Sequence, residues 1–369
     1  MATIIRVEPF GIGLPLRKPM RLASETIVVA ENLFVRVTSS DGLVGWGEAA
    51  SAPTMTGELL DGMVASVQRF VGPALLGAPL DDLAALEART DRSIRANNGA
   101  KSAVVMALYD LVARQRGVPM HALIGDEHQA GAAALCMLGS GDASQDVETA
   151  RAARAAGFRH FKLKVGSSDP TADAGRFATV RSAIGPGIEL SADANMAWSV
   201  EQSLTFLRAT GSHELAYLEQ PLPDNDLEGL TILTHARLGA IASDEGIHDI
   251  ADIDANAAAG VRWFGLKLIK LGGYNRMRAA LARCTAVGGW PILASKIAES
   301  SVAAASLAHL AATLPRILTG VSFTHAYLAS DVATIPVQIQ LGQVAPPTGP
   351  GHGVTVDDAL IQRWRIDGR

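Results

Sequence analysis

Two lysines alternate with apolar residues in one short segment, Phe161-Lys162-Leu163-Lys164-Val165. This alternation predicts a β-strand with both lysines on one face and the apolar side chains on the other. Because the apolar face must pack against helices, we expect both ammonium groups to point inward, about 7 Å apart. Their repulsion and partial desolvation predict a lowered lysine pKa, which makes a lysine available as a base.

Three later apolar segments each end in a carboxylate, and a fourth ends in a lysine. The residues are Asp193, Glu219, Asp244 and Lys267. Three acids on adjacent strands repel one another unless a hard divalent cation binds, and all-oxygen ligands select Mg²⁺, with Mn²⁺ as a substitute. A metal beside lysines suits proton transfer next to a carboxylate, because the metal neutralises the negative charge of the enediolate.

The elements that must position these residues follow Gly131, where short apolar strands alternate with helical segments. Eight strands are predicted: 132–137, 161–165, 188–192, 216–218, 240–242, 263–266, 292–294 and 321–323. Helices are predicted at 144–156, 170–184 and 200–210. The alternation is typical of an α/β fold, a (β/α) barrel in which catalytic groups lie at the carboxyl ends of the strands.

The chain divides into three parts. Residues 1–125 predict an α+β capping domain, with strands at 4–7, 32–38 and 43–47 followed by helices. Residues 126–330 hold the barrel with the metal ligands and the catalytic lysines. Residues 331–369 are rich in Pro and Gly, with a helix from Val356, and are expected to return to the capping domain.

The set Lys162-x-Lys164, Asp193, Glu219, Asp244 and Lys267, in this order on successive strands, resembles the muconate-lactonizing subgroup of the enolase superfamily. That superfamily is a known example of lysine or histidine bases working with Mg²⁺. The likeness extends from Gly45-Trp46-Gly47-Glu48 to Pro350-Gly351-His352-Gly353, and the run from Phe264 to Lys270 is similar to muconate cycloisomerases. The resemblance implies a modified TIM barrel with an N-terminal capping domain.

The resemblance also implies roles for individual residues. Lys164 is the base on one face of the substrate, Lys162 tunes it, and Lys267 is the acid or base on the other face. Asp193, Glu219 and Asp244 hold Mg²⁺, and Asn195 and Glu245 support these ligands. The capping domain supplies specificity, which makes the loop from Pro19 to Ser24, including Arg21, a candidate substrate contact.

Two departures from the family pattern touch the substrate pocket. Gly265 stands where many relatives have Asn, and the seventh strand ends in Ser295-Lys296-Ile297-Ala298-Glu299. Ser295, Lys296 and Glu299 are therefore candidate substrate contacts. Lys270 is expected to be an ordinary surface lysine.

Composition limits the partners. The net charge is −5, so there is no basic excess to hold nucleic acid or an anionic membrane. A small-molecule carboxylate substrate is expected, and barrels of this kind often form homo-oligomers. The two cysteines suit a reducing cytoplasm, and the N-terminal residues resemble a strand more than a signal peptide.

Four functions are compatible with these residues. The first is a muconate-type cycloisomerase, in which one carboxylate binds Mg²⁺ and Arg21 or Lys296 receives the other. The second is a racemase, epimerase or dehydratase acting on amino-acid-like carboxylates with Lys164 and Lys267 on opposite faces. A Schiff-base aldolase and a non-catalytic binding protein on the same scaffold are the remaining alternatives.

Overall fold

The computed structural model of the chain describes residues 2–21, 26–126, 129–211 and 215–367, and its first part is an antiparallel sheet. The strands, in the order β1-β2-β3, are β1 (Ile4–Arg21), β2 (Thr26–Ser39) and β3 (Val44–Ala50). The helices that follow are α1 (Leu60–Ser66), a π-helical turn (Val67–Val71), α2 (Gly72–Leu75), α3 (Leu83–Ser93), α4 (Asn98–Arg116) and α5 (His121–Ile124). The predicted α+β capping domain is confirmed, and its three strands are antiparallel.

The glycines of the Gly45-Trp46-Gly47 motif allow α4 to pack directly on β3. A Cβ atom at Gly47 would lie 1.9 Å from the carbonyl oxygen of Ala103, and one at Gly45 would lie 2.2 Å from that of Ala107. No side chain fits at such distances, so these two positions need glycine. The close contact buries α4 from Gly99 to Ala113.

Parallel strands build the second part of the chain. After the short strand β4 (Ala132–Ala133), which is not part of the parallel sheet, they are β5 (Leu135–Leu138), β6 (His160–Lys164), β7 (Glu189–Asp193), β8 (Leu218–Glu219), β9 (Ile241–Ser243), β10 (Trp263–Leu266) and β11 (Trp290–Leu293). The sheet runs in sequence order from β5 to β11. The segment at Val321 and Ser322 closes the barrel through parallel bridges to Ala134 and Ala294. The predicted (β/α) barrel is confirmed, although its eighth strand is reduced to these bridges.

Helices connect the barrel strands. They are α6 (Ala143–Ala155), α7 (Pro170–Ile184), α8 (Val200–Thr210), α9 (Leu227–Ala236), α10 (Ile250–Ala258), α11 (Leu268–Leu271), α12 (Tyr274–Ala286) and α13 (Ser301–Ala312). Their starts follow local sequence: Asp169 caps α7 before Pro170, and Ser199 and Gln202 form a capping box on α8. Every residue of α13 is buried, since it lies between the barrel and the capping domain.

The last part of the chain contacts both preceding parts. Strand β12 (Gln343–Val344) pairs antiparallel with β4. After α14 (Asp358–Trp364), Arg365 bridges to Ile12 of β1, and the amide of Ile366 donates to the carbonyl of Gly11. The domain boundaries at residues 125 and 330 stay predictions. None of the helices in the described ranges is both long and apolar enough to cross a membrane.

Candidate active site

Three of the predicted site residues, Lys164, Asp193 and Glu219, lie side by side at the carboxyl ends of neighbouring strands. Lys164 on β6 lies in register with Asp193 on β7, and Asp193 lies in register with Glu219 on β8. Asp244 directly follows β9, and Lys267 directly follows β10. Because β6 and β10 are separated by three strands in this sheet, their lysines approach the barrel mouth from opposite sides.

One pocket of about 50 Å³ collects these side chains. Its lining residues are Thr54, Met55, Met137, Lys162, Lys164, Asp193, Asn195, Met196, Glu219, Asp244, Glu245, Lys267, Ala294, Ser295, Lys296, Ile297 and Ser322. The structure therefore brings together all three predicted catalytic lysines and all three predicted metal ligands. Their roles stay predictions.

Each acid of the predicted metal site is paired with a lysine. The Nζ atom of Lys162 lies 2.5 Å from Oε2 of Glu219, and the Nζ atom of Lys164 lies 2.6 Å from Oδ2 of Asp193. Lys267 donates to Oδ2 of Asp244. Opposite charges thus alternate around the pocket, which offsets the cost of burying them.

This pairing corrects the expected lowering of the lysine pKa. Burial by itself lowers the pKa of Lys162, but the nearby carboxylates, Glu219 foremost, outweigh burial and raise it. For Lys267, too, burial is outweighed, and Asp244 and Glu245 raise the pKa. Burial raises the pKa of Glu219 to about 7, with help from the charges of Asp193 and Asp244 and against the effect of Lys162. Sequence reasoning included the repulsion between lysines but not the acids that contact them.

Lys270 is not the surface lysine that the sequence predicted. Its side chain is fully buried, and its Nζ atom lies 2.7 Å from Oδ1 of Asp244 and 2.9 Å from the carbonyl oxygen of Gly265. Burial lowers the pKa of Lys270, although Asp244 acts in the opposite direction. The short helix α11 turns this lysine back under the end of β10, which its sequence spacing from Lys267 does not reveal.

Asn195 and Glu245 connect the acids to one another. The side chain of Asn195 accepts a hydrogen bond from Lys164 at 2.8 Å and donates to Glu245 at 2.9 Å. Glu245 is buried, which raises its pKa, as do the charges of Asp244 and Asp193. This arrangement supports the predicted role of both residues as groups that hold the site in place.

The candidates at the end of the seventh strand line two adjoining cavities. Ser295 and Lys296 line both the main pocket and a cavity of about 20 Å³ beside it, whereas Glu299 lines only the smaller one, which also contacts Lys267. Burial raises the pKa of Glu299 to about 7. Glu299 therefore keeps its proton closer to neutral pH than an ordinary glutamate does.

The capping domain contributes residues that sequence reasoning missed. Thr54 and Met55 line the pocket, and the Sδ atom of Met55 lies 3.8 Å from Nζ of Lys267. Neither residue carried a sequence signal, since both lie in an irregular loop before α1. The predicted contact Arg21 and residues 22–24 of its loop lie outside what the structure describes in side-chain detail.

The three acids of the predicted metal site do not form a ready cage for a cation. Across the four described ranges, no three His, Cys, Asp or Glu side chains already have the arrangement of a metal site. The oxygens of Asp193, Glu219 and Asp244 face lysines instead. The donor chemistry still fits a hard divalent cation, because three carboxylates on three successive strands line one pocket.

Fold and site together define a capped (β/α)-barrel enzyme with lysines on opposite sides of an acidic centre. Residues 145–360 match the family model "Enolase C-terminal domain-like", and residues 4–125 match "Mandelate racemase / muconate lactonizing enzyme, N-terminal domain". The chain belongs to this family of mandelate racemase and muconate lactonizing enzymes, within the enolase superfamily.

Individual relatives share nearly the whole length. The chain is 30% identical to Muconate cycloisomerase 1 of Rhodococcus opacus, covering 98% of both chains. It is 32% identical to Hydrophobic dipeptide epimerase of Citrifermentans bemidjiense, covering 93% of this chain and 95% of that one. The structure of muconate lactonizing enzyme from Pseudomonas fluorescens, complexed with muconolactone, is similar with a TM-score of 0.95 at 26% identity, covering 99% of this chain and 100% of that one.

Proposed function

We propose that this enzyme is a Mg²⁺-dependent cycloisomerase of a muconate-type dicarboxylate. It moves a proton at the carbon next to one substrate carboxylate, through an enediolate. The likeness to muconate cycloisomerases over the full chain supports this assignment. The single observation that carries it is the balance of charges in the pocket.

Eight charged side chains line the pocket, and half of them are cations and half are anions. The cations are Lys162, Lys164, Lys267 and Lys296, and the anions are Asp193, Glu219, Asp244 and Glu245. With all eight groups ionised, four positive and four negative charges sum to zero, so a bound divalent cation would bring the pocket to +2. A dicarboxylate dianion neutralises this charge, whereas a dipeptide with a free ammonium group carries less negative charge.

Asp193, Glu219 and Asp244 would hold the Mg²⁺ ion, with Mn²⁺ as a possible substitute. When bound, the cation supplies a positive charge that stabilises the negative charge developing on the substrate carboxylate. The acids would keep their strand positions, and the lysines that pair with them line the same pocket.

The lysines divide the proton chemistry by position. Lys164 delivers or removes the proton on one face of the substrate, and Lys267 serves the opposite face. Lys162, held by Glu219, adds positive charge beside Lys164. Asn195 orients the ammonium of Lys164 through its 2.8 Å hydrogen bond.

The far end of the substrate meets the seventh-strand residues. Lys296 or Arg21 would receive the second carboxylate, and Ser295 lines the wall of the pocket beside Lys296. Glu299, in the adjoining cavity, is a neutral hydrogen-bond donor when protonated. These assignments place the recognition of substrate at the boundary between barrel and capping domain.

Turnover of muconate tests the proposal directly. The purified enzyme with Mg²⁺ or Mn²⁺ should consume muconate, followed as the loss of ultraviolet absorbance of the conjugated diene. Lys164→Ala and Lys267→Ala variants identify the residue that handles the proton. Absence of turnover by the metal-loaded wild-type enzyme would contradict the proposal.

A second candidate is a racemase, epimerase or dehydratase of amino-acid-like carboxylates. The observation that favours it is the presence of lysines on both sides of the pocket, together with the dipeptide epimerase relative. Incubation in D₂O distinguishes the two: deuterium at the α-carbon of recovered dipeptide indicates epimerisation. If the protein is a Schiff-base aldolase, borohydride would trap the covalent adduct between a lysine and the substrate even in the presence of EDTA. A non-catalytic binding protein would turn over neither muconate nor a dipeptide.

Assembly and location complete the proposal. We propose a homo-oligomer in the cytoplasm, acting on a small carboxylate and binding neither nucleic acid nor membrane. Light scattering coupled to gel filtration measures the number of subunits. A monomer at micromolar concentration would contradict the oligomer.

A further inference from the structure

The amino end of α13 is buried and must find hydrogen-bond partners inside the protein. All residues from Ser301 to Ala312 are buried, and so is the N-cap residue Ser300. The first backbone N–H groups of a helix have no partner within the helix, and leaving them unpaired away from water is costly. Other parts of the chain therefore have to cap this helix.

Two carboxylates from distant segments cap it. Glu48 of β3 accepts from the amide of Ser300 at 2.7 Å, from its hydroxyl at 2.6 Å, and from the amide of Ala303 at 3.2 Å. Asp331 accepts from the amide of Ser301 at 3.1 Å and from its hydroxyl at 2.8 Å. One helix end is thus held by the capping domain on one side and by the C-terminal segment on the other.

The capping domain also holds the two residues that precede this helix end. The amide of Ala50 donates to Oε1 of Glu299 at 3.3 Å. The side chain of Asn32 donates to Glu48 at 2.8 Å and to the carbonyl of Ala298 at 3.0 Å. Glu48 and Ala50 are two residues apart on β3, so one stretch of strand fixes consecutive residues of the barrel loop.

Glu48 and Glu299 line the same small cavity, which Lys267 also contacts. The surrounding charges are Lys267 and Lys296 near Glu299, and Glu299 itself and Asp331 near Glu48. We propose that Glu48 is a positioning residue for Glu299: by clamping Ser300 and Ala303, it sets where the Glu299 carboxyl group lies relative to Lys267 and the substrate. This inference rests on the role proposed above for Glu299.

The clamp gives the capping domain a part in catalysis besides covering the barrel. Glu48 does not line the main pocket, so we expect it to act through the loop that it holds and not by contact with the substrate. Asp331 provides a matched control, since it caps the same buried helix end with a carboxylate but bonds to Ser301 instead of Ser300, the residue that follows Glu299. A residue that merely stabilises α13 would behave as Asp331 does.

A double-mutant cycle tests whether Glu48 acts through Glu299. Glu48→Gln should lower kcat/KM by about tenfold to a hundredfold, as expected when a reacting geometry is displaced. It should have no further effect in the Glu299→Gln background, because residues that act as one unit are not additive. Asp331→Asn should reduce the melting temperature and leave kcat/KM close to wild type. Independent, multiplying effects of Glu48→Gln and Glu299→Gln would overturn the proposal.

A measurement without substrate separates this inference from the proposed function. In ¹⁵N-alanine-labelled protein, the amide proton of Ala50 should shift as the pH is raised through about 7, where its partner Glu299 ionises. This step in chemical shift near pH 7 should be absent in Glu299→Gln and in Glu48→Gln. It should remain in Asp331→Asn. A step that persists in Glu48→Gln contradicts the clamp, even if the enzyme turns over no muconate or dipeptide.

A milder variant covers the case in which Glu48→Gln does not fold. Asn32→Ala removes the hydrogen bonds to Glu48 and Ala298 but keeps the carboxyl group of Glu48. It should reduce the pH-dependent change in chemical shift of the Ala50 amide proton. It should also lower kcat/KM, but by less than Glu48→Gln does. An unchanged step and unchanged kinetics in Asn32→Ala would count against the clamp.

Discussion

The ammonium group of Lys270 lies 2.7 Å from the Oδ1 atom of Asp244, and its side chain has no exposed surface. Because Lys267 binds the other oxygen of the same carboxylate, one acid holds two lysines at the barrel mouth. This relationship fixes Asp244 at the end of β9 with both of its oxygens engaged. It also leads to the first prediction.

Removing Lys270 should destabilise the protein strongly. Lys270→Met leaves the carbonyl of Gly265 and one oxygen of Asp244 without their buried donor, and breaking a buried pair in this way costs about 3–5 kcal/mol. Urea unfolding measures the loss. The control is Arg276→Met, which breaks the half-exposed pair with Asp91 and should cost less than about 1 kcal/mol. Equal losses in the two variants would contradict this account of Lys270.

Arginine substitutions should separate charge from proton transfer at the two opposed lysines. Lys164→Arg and Lys267→Arg keep a positive charge, but a guanidinium group does not give up a proton at ordinary pH. The variant at the residue that handles the proton should lose about 10²–10⁴-fold in kcat. For a cycloisomerase only one of the two variants should show this loss, whereas an epimerase should lose activity in both. Full activity in both variants would show that neither Lys164 nor Lys267 donates or removes the proton.

The ionisation of Glu48 and Glu299 should lower the stability of the protein as the pH rises from about 4.5 to about 8. Burial raises the pKa of Glu48 from 4.5 to about 8 and that of Glu299 to about 7, so the folded state holds protons that the unfolded chain has released. The contribution of both acids to the free energy of unfolding is fully present below their pKa in the unfolded chain. It is lost as the pH rises through their pKa in the folded protein. Each unit of pKa difference corresponds to about 1.4 kcal/mol.

Urea unfolding of wild type and Glu48→Gln at about pH 5 and pH 8 measures this loss, because the difference between the two proteins isolates Glu48 from the other titrating groups. The loss should be smaller in Glu48→Gln. Glu148→Gln, at an exposed position of α6, should keep the wild-type dependence. A steeper loss in Glu48→Gln than in wild type would reverse the predicted sign.

Metal removal should abolish turnover, and the three pocket acids should be needed for metal binding. Asp193→Asn, Glu219→Gln and Asp244→Asn should each weaken Mn²⁺ binding by at least about tenfold, since even outer-shell changes cost this much at many sites. Electron paramagnetic resonance of free Mn²⁺ measures the affinity without any substrate. Asp254→Asn, in a half-exposed surface pair, should bind Mn²⁺ as wild type does. Unchanged affinity in the three pocket variants would exclude this metal site.

Gly47→Ala should be among the most damaging small substitutions in the capping domain. Its new Cβ would lie 1.9 Å from a backbone oxygen of α4, so strand and helix must separate. Gly62→Ala on α1 meets no atom within 4 Å and should be neutral or stabilise by up to about 1 kcal/mol. Thermal unfolding of both variants makes the comparison. A neutral Gly47→Ala would show that β3 and α4 are less closely packed than described.

Local patterns in the sequence were sufficient for much of the barrel. Predicted helices at 170–184 and 200–210 agree with α7 and α8, and the predicted strand at 161–165 is shifted by one residue from β6. These elements could be predicted because alternation, helical spacing and capping residues act between near neighbours. The eighth strand was harder, since only bridges at Val321 and Ser322 mark it.

The sequence by itself determined which residues meet at the barrel mouth. Lys164, Asp193, Glu219, Asp244 and Lys267 each end or follow a strand, and parallel strands bring their carboxyl ends to one edge. Only the tertiary structure decided how these groups are paired and charged. The burial of Lys270, the raised pKa of Lys162 and the hold of Glu48 on Ser300 depend on contacts between distant segments. Local sequence carries no record of such contacts, because desolvation and ion pairing arise only when packing excludes water.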